Sequence, residues 1–298
     1  MMENKLLNSF DLLDMSLNYK QIGSFAIVLG SPSTIAKEFM VNFEKWCNDY
    51  GLIPIFCGIG TEDRDFFVTR NYQILKLGDE AIIDLISMNL KGKQWSSCRS
   101  ALNRASRMGL AFQWVKSSDR NKIMDEVSKI SDEWLHKRTL PELGFLMGTF
   151  KDLTSSDLLA ISRDAYGNIC GFVTWYSIPG AQGWMLDLMR SRSNVMNGLN
   201  DFLLIKSLMF FQKSGCLIAS LGGVPLSNWN SETDGVTRWF MDILFDYCNL
   251  VYPFKKLWNF KKKFNPQWQP LYLAIGSSGS KILPLLAVIR ACILSKAR

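Results

Sequence analysis

The chain has 298 residues, 48% hydrophobic, 12% aromatic and 20% charged, with a formal charge of +7 and a pI near 9.0. That length exceeds one usual core and favours two units; the composition excludes long disorder, and the basic balance favours an anionic partner, nucleic acid or lipid surface, without choosing between them. The seven cysteines, Cys47, Cys57, Cys98, Cys170, Cys216, Cys248 and Cys292, are scattered without a Cys-x-x-Cys pair, which argues against a metal site or a disulfide framework and fits a reducing cytosolic setting.

Residues 1–17 mix acids, amides and apolar side chains without a basic start and an apolar run, so no signal peptide is expected. Residues 25–29 read as a short buried strand. Gly30-Ser31-Pro32-Ser33 then turns the chain into a helix over 34–50 with Phe39, Phe43 and Trp46 on one face and Gly51 as its stop. A second strand is predicted at 53–57, a short helix at 62–70 and a third strand at 72–77 before Gly78. The order strand, helix, strand returns later, with strands at 168–176, 184–189 and 217–221 and a helix at 198–214 ended by Gly215. The recurrence points to two related α/β units packed together, residues 1–125 and 126–298.

Towards the end of the first unit, residues 96–109 form an amphipathic pattern. Cys98, Ala101, Leu102, Ala105 and Met108 fall on one side, and Arg99, Asn103, Arg104 and Arg107 on the other. The arginine face is either plainly solvated or a phosphate-binding face, because guanidinium forks suit phosphate. A second basic stretch, 254–264, interleaves Lys255, Lys256, Lys261, Lys262 and Lys263 with Phe254, Trp258, Phe260 and Phe264, a density that fits phosphate contact over aromatic packing. Asp187 and Arg190 lie towards the end of a predicted buried strand, where a charged pair is either a structural ion pair or part of a site.

His136 is the sole histidine and sits among polar neighbours, so a histidine-based nucleophile apparatus is rejected. Phosphate-cradling glycine loops for nucleotide hydrolysis or dinucleotide chemistry are also missing. Near the end, 282–294 is apolar except for Arg290, too short for a bilayer that needs ~20 helical residues. Ser280 can cap this helix and Pro284 suits its first turn. Flanked by Lys281, Lys296 and Arg298, it either lies at a membrane surface or packs onto the second unit.

Several blocks occur in a familiar order: Lys76-Leu77-Gly78-Asp79-Glu80, Arg99-Ser100-Ala101-Leu102-Asn103-Arg104-Ala105, Ile130-Ser131-Asp132-Glu133-Trp134-Leu135, Asp187-Leu188-Met189-Arg190, 198–202, 221–227 and 260–268. Together they resemble the catalytic region of the multiple peptide resistance factor family, the lysyl- and alanyl-phosphatidylglycerol synthases, over residues 20–290.

The resemblance implies an α/β fold of two tandem acetyltransferase-like (GNAT) units. It also implies a reaction in which a glycerol hydroxyl of phosphatidylglycerol attacks the ester of an aminoacyl-tRNA, with no cofactor, ATP or metal. It carries catalytic roles to Asp187, Arg190 and Lys261 or Lys263, with the proton acceptor left open, while Arg99, Asn103, Arg104, Arg107, Lys255 and Lys256 remain candidates for tRNA or phosphate. The implied setting is the cytoplasmic face of the membrane, with a membrane domain as a possible partner, since most relatives carry one. A peptidoglycan-bridge aminoacyl transferase and a non-catalytic tRNA- or lipid-binding module stay open as alternatives.

Overall fold

The computed structural model describes residues 7–12, 14–30, 37–137, 153–154, 157–225, 227, 254–280 and 282–293. The turn at 31–33, Cys248, Lys281, Lys296 and Arg298 lie outside the described residues. Within them the strands are β1 (Asn8–Leu12), β2 (Met15–Ile22), β3 (Phe25–Leu29), β4 (Ile53–Ile59), β5 (Gln73–Asp84), β6 (Ala111–Trp114), β7 (Leu158–Arg163), β8 (Ile169–Ser177), β9 (Gly183–Ser191), β10 (Ile218–Pro225) and β11 (Gln267–Ile275). The helices are α1 (Lys37–Asp49), α2 (Thr61–Val68), α3 (Ser96–Arg107), α4 (Met124–His136), α5 (Leu199–Lys213), α6 (Phe254–Lys262) and α7 (Ile282–Ile293).

These strands join in a single 11-stranded sheet of order β1-β2-β3-β4-β11-β5-β10-β9-β8-β7-β6, so the fold is α/β as expected. Chain order and sheet order part in one place above all. β11, formed late in the chain, inserts between β4 and β5 and pairs antiparallel with both. The strand expected to stop at Gly78 continues to Asp84, because Gly78 and its neighbours are held by β11 on one side and β10 on the other. The N-terminal hairpin of β1 and β2 was not expected; Leu17 and Tyr19, two apart and both buried, carry the alternation of a half-buried strand.

Helices cover both faces. On the early half, α1 buries Phe39, Met40, Phe43 and Cys47 against Val28, Phe56 and Tyr272, each large side chain contributing roughly 1.5–3 kcal/mol. The opposite face of that half carries α7. Its Leu285, Ala287, Val288, Ala291 and Cys292 pack on Ile27, Ile55, Leu273 and Ile275, so this helix belongs to the core, and to the early half of the sheet instead of the second unit. Lys20 donates to the Ala291 carbonyl at 3.1 Å, a cation near the helix end where it is electrostatically favoured. Among the described residues, no helix is long and apolar enough to cross a membrane.

On the late half, α3 and α5 share one face with Ala81, Ile83, Val173, Trp175, Ala219 and Leu221. α4 covers the other face over Leu159, Ile161, Phe172 and Leu188. α6 lies on the α3/α5 side, since its end leads into Phe264 within that cluster and Phe260 packs against it. The apolar side read for α3 is correct at Cys98, Ala101 and Ala105, but Met108 is 54% exposed, past the last helical turn.

Candidate active site

Two adjacent parallel strands separate in the middle of the sheet. β9 and β10 pair from Gly183↔Ile218 to Met185↔Ser220; beyond these registers β9 stays with β8, and β10 with β5. Irregularities flank the split on both sides. In β9, Asp187 and Leu188 together oppose Thr174, since Leu186 pairs with Trp175 and Met189 with Val173. In β10, the register shifts between Ser220 and Gly223, with Gly222 at φ +81, a left-handed conformation that glycine adopts without strain.

The β9 bulge decides where the acidic and basic residues point. In a regular strand, residues three apart face opposite sides, whereas the extra residue returns Asp187 and Arg190 to the α4 face. There the Thr174 hydroxyl donates to Asp187 Oδ2 at 3.2 Å and accepts from Leu188 N at 2.9 Å. Arg190, 1% exposed, donates to Ser131 Oγ and lies 5.0 Å from the Trp134 ring centre. Asp187 is only partly buried. The expected strand-end pair is therefore a mid-strand bulge with an accessible acid and a buried base.

Tyr176, on the same face as Thr174, is 39% exposed overall, but its hydroxyl turns against the Met185 sulfur. Burial first, then the negative charges of Asp187, Glu80 and Asp157, raise this hydroxyl above the usual tyrosine range. Three carboxylates thus act on one hydroxyl beside the split.

From the α3/α5 side, Lys261 reaches the split. Its ammonium donates to the Gly222 and Gly223 carbonyls, each at 2.9 Å, and the residue is 6% exposed. Burial pulls it down to about 7, with Glu80 pulling the other way. Glu80 itself accepts from the Ser220 hydroxyl.

Lys263 goes elsewhere. It bonds both Asp201 oxygens, at 3.1 and 3.0 Å. With Arg104, Ser96, Ser100, Asn197 and Gly198 it lines a cleft of about 360 Å3 where the N-termini of α3 and α5 converge. Helix N-termini favour anions. Arg104 donates to the Asn197 carbonyl at 2.6 Å, and Arg99 to the Leu90 and Gly92 carbonyls at 2.7 Å each, while Asn103 and Arg107 are exposed. Lys255 and Lys256 lie exposed on α6, and Trp258 stacks on Trp268 at 5.6 Å with Lys262 over it at 4.7 Å.

Asp187 and Lys261 thus flank the split from opposite faces of the sheet, Arg190 is buried beneath α4 against Ser131 and Trp134, and Arg104 and Lys263 line the cleft. Sequence reasoning missed Tyr176, Ser220 and the site position of Glu80; a cluster of charges, Lys76, Asp79 and Glu80, within one strand was the available signal for the last.

The family described as "Phosphatidylglycerol lysyltransferase, C-terminal" matches residues 11–275. A protein named phosphatidylglycerol lysyltransferase from Bacillus subtilis (strain 168) is 29% identical over 279 residues, covering 92% of this chain and 32% of the relative. The chain therefore spans about a third of that relative's length. Among solved structures, the C-terminal domain of a putative lysylphosphatidylglycerol synthetase from Agrobacterium fabrum superposes with a TM-score of 0.79 at 26% identity, over 95% of this chain and 87% of that one. L-PGS from Bacillus licheniformis gives 0.79 at 24% identity, over 97% and 90%, a likeness of fold.

Proposed function

This chain belongs to the phosphatidylglycerol lysyltransferase C-terminal family, and on that premise we propose that it transfers an amino acid, lysine or alanine, from aminoacyl-tRNA to a glycerol hydroxyl of phosphatidylglycerol. The observation that carries this reading is the β9–β10 split, with Asp187 on one side and the Lys261 ammonium on the other. A gap of this kind admits two substrates from opposite faces. The cleft of Arg104 and Lys263 suits a phosphate of the tRNA end on the α3/α5 face, and the basic surface of Lys255 and Lys256 extends that charge.

In the proposed step the glycerol oxygen attacks the ester carbonyl carbon. Asp187 orients the hydroxyl and draws its proton. The oxyanion of the tetrahedral intermediate is met by the Lys261 ammonium. Collapse breaks the bond to the tRNA ribose oxygen, which takes the proton. One ester replaces another, so the step itself requires no further energy source. Arg190, buried beneath Trp134, supports β9 from behind. The setting is peripheral, at the cytoplasmic membrane face, with the lipid surface and a membrane domain as partners.

The test is direct: purified chain, charged tRNA and phosphatidylglycerol vesicles, with label followed into the lipid phase. Lipid-soluble label is expected with lysyl- or alanyl-tRNA. Label entering only a cell-wall precursor would transfer the reading to bridge synthesis, and tRNA binding without transfer to either would make the chain a binding module.

A further inference from the structure

A half-buried carboxylate in the middle of a sheet requires a polar partner, and the partner found for Glu80 leads into the site. Glu80 stands opposite Gly223 in the β5–β10 ladder and opposite Gln269 in the β5–β11 ladder. Its Oε1 accepts from Ser220 Oγ, and Ser220 is fully buried. The same hydroxyl oxygen accepts from Gly222 N at 2.9 Å. The Gly222 carbonyl, on the other side of that residue, receives Lys261 Nζ at 2.9 Å, as does the Gly223 carbonyl. A continuous chain of bonds therefore runs from Glu80 through Ser220 and the β10 bulge to the ammonium.

We propose that Glu80 is a positioning residue: through Ser220 it fixes the β10 bulge whose two carbonyls seat the Lys261 ammonium at the β9–β10 split. The significance of this for catalysis rests on the transfer reading above, while the physical link between the residues does not. The β5–β10 ladder holds the bulge at Ser220 and Gly223, but Gly222 between them has no ladder partner and no side chain to anchor it, and a left-handed glycine is free to relax once its amide is released.

Charge supports the same assignment. Strand β10, on which α6 packs, bears no titratable side chain. On β5, Lys76 and Asp79 pair with each other at 3.1 Å. On β9, Asp187 acts on Tyr176. Within α6 itself Lys262 lies over Trp258, and Lys263 just beyond the helix pairs with Asp201. Glu80 is the carboxylate that opposes the effect of burial on Lys261. Removing its charge lowers the ammonium's titration midpoint further, whichever protonation state the reaction uses.

The experiment follows Lys261 by NMR of protein labelled at lysine Cε, its signal identified by loss in Lys261→Arg. Glu80→Gln keeps an acceptor for Ser220 and removes the charge, and a downward shift of at least about half a pH unit is expected. Ser220→Ala severs the link; the midpoint should move, kcat should fall ~10-fold or more with KM little changed, and Ser220→Thr should restore both. An unmoved midpoint in either Glu80→Gln or Ser220→Ala overturns the proposal, and if one variant fails to fold the other decides. The titration needs no turnover, so inactive wild-type protein with a shifted midpoint would count against the transfer reading alone.

Discussion

Replacing Asp187 by asparagine preserves its shape and its acceptor for Thr174, so the bulge should survive while the charge at the split is lost. Transfer is expected to fall to background with the melting temperature unchanged; substantial activity in this variant would remove Asp187 from the mechanism. Arg190→Ala should behave differently, because its guanidinium is buried against Ser131 and Trp134. Losing those contacts and leaving a cavity should cost roughly 2–4 kcal/mol, read as a lower urea midpoint before any effect on activity is interpreted. The pair was legible in the sequence as charges in an apolar strand. Their shared orientation was not, since it depends on an extra residue that only the pairing with β8 defines. Glu80 illustrates the same limit, because its role follows from a neighbour 140 positions away.

Among the elements, α3 was recognised by its periodicity and α7 by its cap, its first-turn proline and its apolar run, and in both the structure decides how each part of the surface is used. On α3, Arg99 spans to two loop carbonyls and Arg104 faces the cleft. Arg104→Ala should therefore weaken charged-tRNA binding and reduce the slope of log affinity against log salt by about 1, whereas Arg99→Ala should leave the slope and loosen residues 90–92 to proteolysis. Filter binding over a salt series measures the first; equal slopes for wild type and Arg104→Ala would separate the cleft from tRNA. On α7, Ala291 is fully buried while Leu283 and Leu286 are 58% and 46% exposed. Ala291→Asp should abolish cooperative unfolding. The double variant Leu283→Ser, Leu286→Ser should keep stability within about 0.5 kcal/mol and lose part of its sedimentation with phosphatidylglycerol vesicles. Undiminished sedimentation would show that this face does not meet the lipid. A continuous apolar run conceals which side is covered, so the choice between core and membrane was beyond the sequence.

At the level of the whole molecule, the repeated order of strands and helices predicted two α/β units, and the α/β class followed from local pattern alone. What local pattern does not encode is which distant strands pair. β5 has β10 on one edge and β11 on the other, and α7 covers the early half of the sheet. Expressed separately, residues 1–125 and 126–298 should each lack cooperative unfolding, and co-expression should recover a soluble pair; a sharp independent melt of the first fragment would show that it closes its own sheet. The same arrangement bears on how the protein is made. β5 ends at Asp84, while the strands that flank it start at Ile218 and Gln267. At ribosomal rates of roughly 5–20 residues per second, the interval is on the order of ten seconds. For that time Ala81 and Ile83 have neither sheet neighbour in place, and two open strand edges are available to any other nascent chain. Slower translation lengthens that exposure, so yield should depend on chaperone supply more than on the stability of the finished fold.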